Sequence, residues 1–147
     1  MTVLRPAQPT DAGAVGAILS AFIDGTDWMP RIHTRAEDLS FAGYMIEQGW
    51  VTVAEKAGQV CAFSALNGPE VHSLYVAEGA QGQGIGANLL ADMQEATDHL
   101  TLWTFQANTG AQRFYLRHGF TEAERTDGAR NDEGLPDIRY DWHKDKS

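Results

Sequence analysis

The sequence predicts an α+β domain with a mixed, mostly antiparallel central sheet of about seven strands flanked by about four helices, one unit spanning residues 1–147. Three observations point there. Between residues 50 and 76 three strand-like runs are separated only by short glycine-containing turns, the pattern of an antiparallel meander. Several segments carry apolar residues at spacings of three and four, the period of a helix lying on a sheet. No repeat, linker or low-complexity tract interrupts the chain, and 147 residues with 43% hydrophobic content suffice for one core.

The elements follow in order. "TVLRPA" reads as a first strand, and Thr10 or Asp11 is placed to cap a helix whose apolar stripe is Val15, Ile18, Leu19, Phe22 and Ile23. "GTDWMPR" breaks that helix. Thr34 and Glu37 have the spacing of a capping box and open a second helix reaching about Gln48. The meander comprises Trp50 to Glu55, Gln59 to Leu66 and Glu70 to Val76, with turns at Ala57-Gly58 and Asn67-Gly68-Pro69. A glycine-rich turn then leads into a helix with Ile85, Leu89, Leu90 and Met93 on one face. "LTLWTFQ" is a further strand and Asn108 to His118 a further helix, with Ala111, Phe114, Tyr115 and His118 on its face. Two last strands, around Phe120 to Arg125 and Ile138 to His143, enclose a polar loop.

Composition narrows the functions. Eleven Lys and Arg against twenty Asp and Glu give a net charge of -9, which argues against nucleic acid, whose binding needs clustered cations, and suits cationic partners such as amines. Cys61 is the lone cysteine, so no intrachain disulfide forms; in "VCAFSAL" it reads as a buried structural thiol. The start lacks a basic segment followed by an apolar one, and the longest apolar run, "AVGAILSAFI", is about half of what spans a bilayer. A cytoplasmic protein without a membrane partner is expected; a homodimer stays open.

The chemistry centres on "LYVAEGAQGQGIGANLLADM", Leu74 to Met93. A strand, a glycine turn and a helix N-terminus together form an anion site, because unpaired amides converge there and the helix dipole adds positive charge. The plain alternative is that the glycines only shape a turn. A Walker loop fails, since Ile85 and Gly86 stand where Lys and Ser/Thr are needed. Gly82, Gly84 and Ala87 satisfy a dinucleotide pattern, but "LTLWTFQ" lacks the acidic residue that should bind the ribose. An acyl-coenzyme A site is the third reading.

Gln81, Gly84 and Gly86 fit [QR]-x-x-G-x-[GA] after the strand "SLYV", and Asn108, Ala111, Phe114, Tyr115, Gly119 and Phe120 fit a second pattern, an Asn followed by A-x-x-F-Y-x-x-x-G-F. On these motifs the stretch from Val71 to Phe120 resembles the GNAT superfamily of acyl-CoA-dependent N-acyltransferases; the first third of the chain matches only in element order. The resemblance implies acetyl-CoA as co-substrate, with no metal. It implies that the backbone of Leu74, Tyr75 and Val76 pairs with the pantetheine arm, the Val76 amide serving as oxyanion donor. The amides of Gln81, Gly82, Gln83, Gly84, Ile85, Gly86 and Ala87 would hold the pyrophosphate, with Ala111 and Phe114 alongside. Asn108 would contact pantetheine, or act simply as a helix cap, or both.

N-acetylation needs a base for an amine of pKa about 10.4 and an acid for the departing thiolate. Tyr115 sits where the superfamily commonly places that acid; packing beside Phe114 is the plain reading. For the base, Glu70 and His72 in "PEVHSLYV" share strand parity with Leu74 and Val76, which points both into one cleft. Some members use a Glu at the first position and others a His at the second. Histidine needs less tuning, so His72 is favoured, with Glu70 ordering water or attracting the cation. Trp103 replaces a Glu that other members carry, which argues against the branch acetylating ribosomal-protein N-termini.

"TDWMPRIH" and "RTDGARNDEGLPD" occupy the regions walling the acceptor site in this fold. Asp24, Asp27, Asp132, Glu133 and Asp137 are placed to attract an amine, or are simply solvated. Trp28 and Met29 either floor the pocket or anchor their loop. The sum is an acetyl-CoA-dependent N-acetyltransferase acting on a primary amine, of a small molecule or a peptide, by direct transfer in a ternary complex. A non-catalytic acyl-CoA-binding module is the alternative.

Overall fold

Short turns shape the first half of the sheet. A computed structural model of the chain describes residues 2–144. Strand β1 (Thr2–Pro6) leads through one 3-10 turn, Pro9–Asp11, into helix α1 (Ala12–Asp24), and α2 (Arg35–Glu47) follows. Strands β2 (Val51–Lys56), β3 (Gln59–Asn67) and β4 (Glu70–Val76) form the expected meander. After α3 (Ile85–Ala96) come β5 (His99–Phe105), α4 (Thr109–Arg117), β6 (Thr121–Thr126) and β7 (Asp137–His143). No helix among the described residues is long and apolar enough to cross a membrane.

The capping box of α2 is present: the Glu37 amide donates to Thr34 Oγ1 at 3.0 Å and the Thr34 amide to Glu37 Oε1 at 2.9 Å. The cap expected for α1 differs. Asp11 occupies the N-cap position, but its carboxylate accepts from the Gln8 amide at 2.7 Å and pairs with Arg5 at 2.8 Å, so it locks the strand-to-helix turn rather than the helix end. Arg5 holds that carboxyl below its ordinary range. Cys61 is half-buried rather than fully buried, its Sγ 3.5 Å from the Ala54 carbonyl oxygen.

The sheet order is β1-β2-β3-β4-β5-β7-β6. Two antiparallel halves meet at the parallel β4–β5 step, where the register is a single pair, Glu70 with Thr101. Past that pair the strands part. A slit therefore opens between Leu74–Val76 and Trp103–Phe105, where an unbroken sheet would have a ladder.

Helices α1 and α2 cover one face of β1–β4 through Val15, Leu19, Met45 and Ile46 packed on Val53, Phe63 and Ala65. Helix α3 covers the opposite face, with Ile85 and Leu89 against Ala54 and Ala62. Its Leu90 and Met93 join Tyr115 of α4 on Leu100, Leu102, Ile138 and Tyr140, so α4 closes the same side of the second half. The remaining face of β5–β7 carries Thr101, Trp103, Arg139 and Asp141, and no helix of the described residues lies over it. The slit joins these two sides.

One irregularity changes the expected side-chain directions. Leu66 pairs with Val71 but Ala65 with Ser73, so β4 carries an extra residue at His72. The bulge inverts the alternation. Val71 and Leu74 both pack on the α3–α4 side, whereas His72 stacks on Trp50 toward the α1–α2 side. Glu70 and His72 thus do not share a face with Leu74 and Val76, contrary to the simple parity of the sequence.

Candidate active site

At one end of the slit lies the glycine turn. Gly82 and Gly84 adopt φ of 78° and 77°, left-handed values that residues with a Cβ rarely take, and Gly84 is the N-cap of α3. No side chain caps that helix, and no amide from Gly82 to Ala87 donates to an acceptor among the described residues. Asn88 makes the first helical bond, to Gly84 O. Gly86 sets α3 against Val76 and Phe114, a Cβ there lying 3.5 Å from Val76 Cγ2. Gln81 ties the turn to β4 through its Nε2, 3.2 Å from the Val76 carbonyl oxygen. Lys56, which the sequence did not single out, donates to Gln83 Oε1 and puts a cation beside the turn.

The β4 edge of the slit presents polar backbone. The Ala77 amide donates to Cys61 O at 2.8 Å. In an antiparallel ladder this turns the N–H and C=O of Val76 and Leu74 away from β3 and toward the slit, and those of Tyr75 toward Phe63. Of the three residues named from sequence, Leu74 therefore turns both backbone groups to the slit and Val76 its free N–H, the Val76 carbonyl being held by Gln81.

The slit encloses about 100 Å³, with Leu74 and Tyr75 on one wall, Thr104 and Phe105 on the other, and Asn108 and Tyr115 contributed by α4. Asn108 caps α4, its Oδ1 accepting from the Ala111 amide at 3.0 Å, and still lines the slit, so both of its readings hold structurally. Tyr115 is 8% exposed and packs edge-on against Phe114 and Phe120. Burial pushes its hydroxyl well above the ordinary tyrosine range, with Tyr75 nearby adding to the effect. The Tyr75 hydroxyl is itself pushed up to about 12, by burial and then by the Glu133 carboxylate. Thr104, also unremarked in the sequence, is buried, and its Oγ1 has no hydrogen-bond partner among the described residues.

His72 lines both the slit and a larger, polar cavity of about 730 Å³ on the helix-free face. Its Nε2 lies 3.5 Å from Glu70 Oε1, and its ring stacks on Trp50 at 4.8 Å, with Tyr44 packed edge-on behind. Glu70 lines the larger cavity but not the slit. Trp103, 45% exposed, stands in the wall of the same cavity.

The acidic loops sort themselves by their partners. Asp24 is held by Arg31 at 2.7 Å and Arg35 at 2.9 Å, which keep its carboxyl below the usual range. Asp137 is occupied by Thr126 and Asn131. Asp27 is exposed and lines none of the cavities described above. Trp28 anchors its loop edge-on to Phe105 at 5.7 Å, whereas Met29 reaches the slit. Asp132 and Glu133, from the β6–β7 loop, line the polar cavity.

The family model of the acetyltransferase (GNAT) domain matches residues 47–122, just over half of the chain and the part that holds the glycine turn, the slit and Tyr115. No curated protein matches the sequence. The fold is that of the apo form of YjaB from Escherichia coli, at 19% identity, 99% of each chain covered and a TM-score of 0.80. It is also that of yncA from Salmonella typhimurium, solved with its cofactor acetyl-CoA, at 20% identity, 100% of this chain and 96% of that one covered, and a TM-score of 0.77. The ribosomal-protein-alanine N-acetyltransferase of Brucella melitensis shares the fold at 23% identity, with 96% and 99% covered and a TM-score of 0.76. With the seven-stranded split sheet, the uncapped glycine turn and the family model in agreement, the chain belongs to the acetyltransferase (GNAT) domain family.

Proposed function

We propose that this single domain is an acetyl-CoA-dependent N-acetyltransferase that passes the acetyl group directly to a primary amine in a ternary complex. The observation that carries the reading is the slit itself. It has unpaired amides at its end, a buried tyrosine hydroxyl in one wall and an accessible histidine at its mouth.

Acetyl-CoA supplies the activated acetyl thioester. The amides of Gly82 to Ala87, with Lys56 beside them, fit a pyrophosphate, and the outward-facing backbone of Leu74 and Val76 fits an extended amide-bearing arm. The Val76 N–H is the donor for the developing oxyanion. His72, oriented by Trp50 and Glu70, accepts the proton of the incoming ammonium and passes it to the polar cavity. Deprotonating an amine of pKa about 10.4 at pH 7 costs about 4 to 5 kcal/mol, so an imidazole with a solvent path is well matched to the task. As the C–N bond forms and the C–S bond breaks, the nitrogen gives up its second proton to His72, which has already passed the first to the polar cavity, while Tyr115 donates its proton to the sulfur and regains one from solvent when the products leave. Its raised pKa keeps that proton in place throughout the neutral range.

Thr104 supplies a check on the occupant of the slit. A buried hydroxyl without a partner is a cost that a ligand group relieves. Thr104→Val should raise the melting temperature of the ligand-free protein by about 1 to 3 °C, yet shrink the further rise caused by acetyl-CoA. An unchanged ligand response would place the hydroxyl outside the binding surface.

The test of the whole reading is a melting titration with acetyl-CoA, CoA and NAD, followed by thiol release in the presence of primary amines. Ligand at 100 times its dissociation constant adds about 2.7 kcal/mol, a shift of several degrees for a domain of this size. Stabilisation by both CoA species with amine-dependent thiol release is expected. Stabilisation without release from any amine would leave a binding module instead.

A further inference from the structure

Beside the slit lies a second cavity of about 480 Å³, between α1, the loop after it, α2 and the β6–β7 loop. Its lining is mainly apolar: Ile23, Met29, Ile32, Phe41, Tyr75 and Phe105. Ile32 and Phe41 are 44% and 43% exposed, large apolar side chains held open to solvent at its rim. Met29, Tyr75 and Phe105 also line the slit, so the groove and the slit are continuous.

The charges around the groove are divided. Asp38 accepts from Ser20 Oγ at 2.6 Å and Arg31 at 3.0 Å, and the Glu37 carboxylate accepts from the Thr34 amide and faces His33. Asp132 and Glu133 have no cationic partner among the described residues. Both stand where the groove meets the polar cavity, and Phe105 borders groove, polar cavity and slit alike.

We infer that the acceptor is a primary amine with an apolar body, whose alkyl or aryl part lies in the groove against Ile32 and Phe41 while its ammonium rests on Glu133 at the mouth of the slit. This rests on the acyl-transfer reading above and adds the substrate class to it. One end of the acceptor meets carboxylates that are unengaged and the other meets hydrocarbon, so a second charge on the body would lie against Ile23 and Met29 with only Glu37 and Asp38, both already engaged, to face it. Amines of the same chain length therefore separate by the polarity of their far end.

The experiment measures thiol release with phenethylamine, isoamylamine, ethylamine, ethanolamine and putrescine. Phenethylamine and isoamylamine should exceed ethylamine in kcat/KM by at least about tenfold, since each buried methylene is worth about fourfold. Putrescine should fall below ethylamine. Ile32→Ser and Phe41→Ser, at exposed positions that leave folding intact, should each raise KM for phenethylamine about tenfold without altering the melting shift given by acetyl-CoA. Glu133→Gln should lower kcat/KM for every amine. Equal rates across the series, or a preference for putrescine, would overturn the assignment, as would indifference of phenethylamine to both serine variants. Calorimetric titration of phenethylamine into the protein with CoA separates the two levels. Phe41-dependent binding without turnover of any amine would leave the groove occupied as inferred and remove the acyl transfer. Turnover of polar amines alone, with no phenethylamine binding, would do the reverse.

Discussion

Tyr115→Phe is expected to lower kcat by about 10²- to 10³-fold, within the range that a positioned proton donor contributes, while the acetyl-CoA melting shift stays within about 1 °C of the parent. The substitution removes one oxygen and nothing else. The ring keeps its contacts with Phe114, Phe120 and Tyr140, and the hydroxyl donates to no protein group among the described residues, so packing has little to lose. A parallel fall in coenzyme binding would assign Tyr115 to packing instead. The alkaline limb gives a second readout. Because burial raises the folded-state pKa above that of the unfolded chain, the unfolded state ionises first and stability falls as pH climbs past about 10. Phe cannot ionise, so the variant should be more stable relative to the parent at pH 11 than at pH 8, by up to about 1.4 kcal/mol per pH unit above 10. A pH-independent difference would mean that the hydroxyl is not buried in solution.

The sequence carried what local rules decide. The Thr34–Glu37 capping box, the glycine turn at Gly82 and Gly84, the helical faces and the β2–β3–β4 meander all rest on neighbours within a few positions, and each is present. Long-range register was hidden. The extra residue at His72 exists because β3 and β4 pair with different offsets on either side of it, and no alternation within "PEVHSLYV" reveals that. The same limit applies to Trp50, which reaches His72 only after two strand reversals, and to Lys56, which reaches Gln83 from a hairpin turn. Acidic residues looked equivalent in the sequence, yet Arg31 and Arg35 neutralise Asp24 while Glu133 stays unpaired beside Tyr75. Thr104 carried no motif at all. Its importance arises because β4 and β5 part after one pair, which leaves its hydroxyl without a partner.

His72→Ala should reduce kcat/KM at pH 7 by about 10²-fold, and the deficit should shrink as pH approaches the pKa of the amine. The pH dependence is the decisive part. At pH 7 an amine of pKa about 10.4 is almost wholly ammonium, and the free-amine fraction grows about tenfold per pH unit, so an enzyme without its base recovers as solvent takes over deprotonation. Loss of the ring also removes the stack on Trp50, worth about 0.5 to 1.5 kcal/mol, which should appear as a small fall in melting temperature and not as a pH effect. Glu70→Gln separates positioning from catalysis. Glu70 lies 3.5 Å from His72 Nε2 but does not line the slit, so its loss should cost less than that of His72. If His72→Ala were impaired by the same factor from pH 7 to pH 10, the ring would be shaping the acceptor site rather than taking the proton. Water ordered in the polar cavity around Glu70 and Asp132 would then have to carry it.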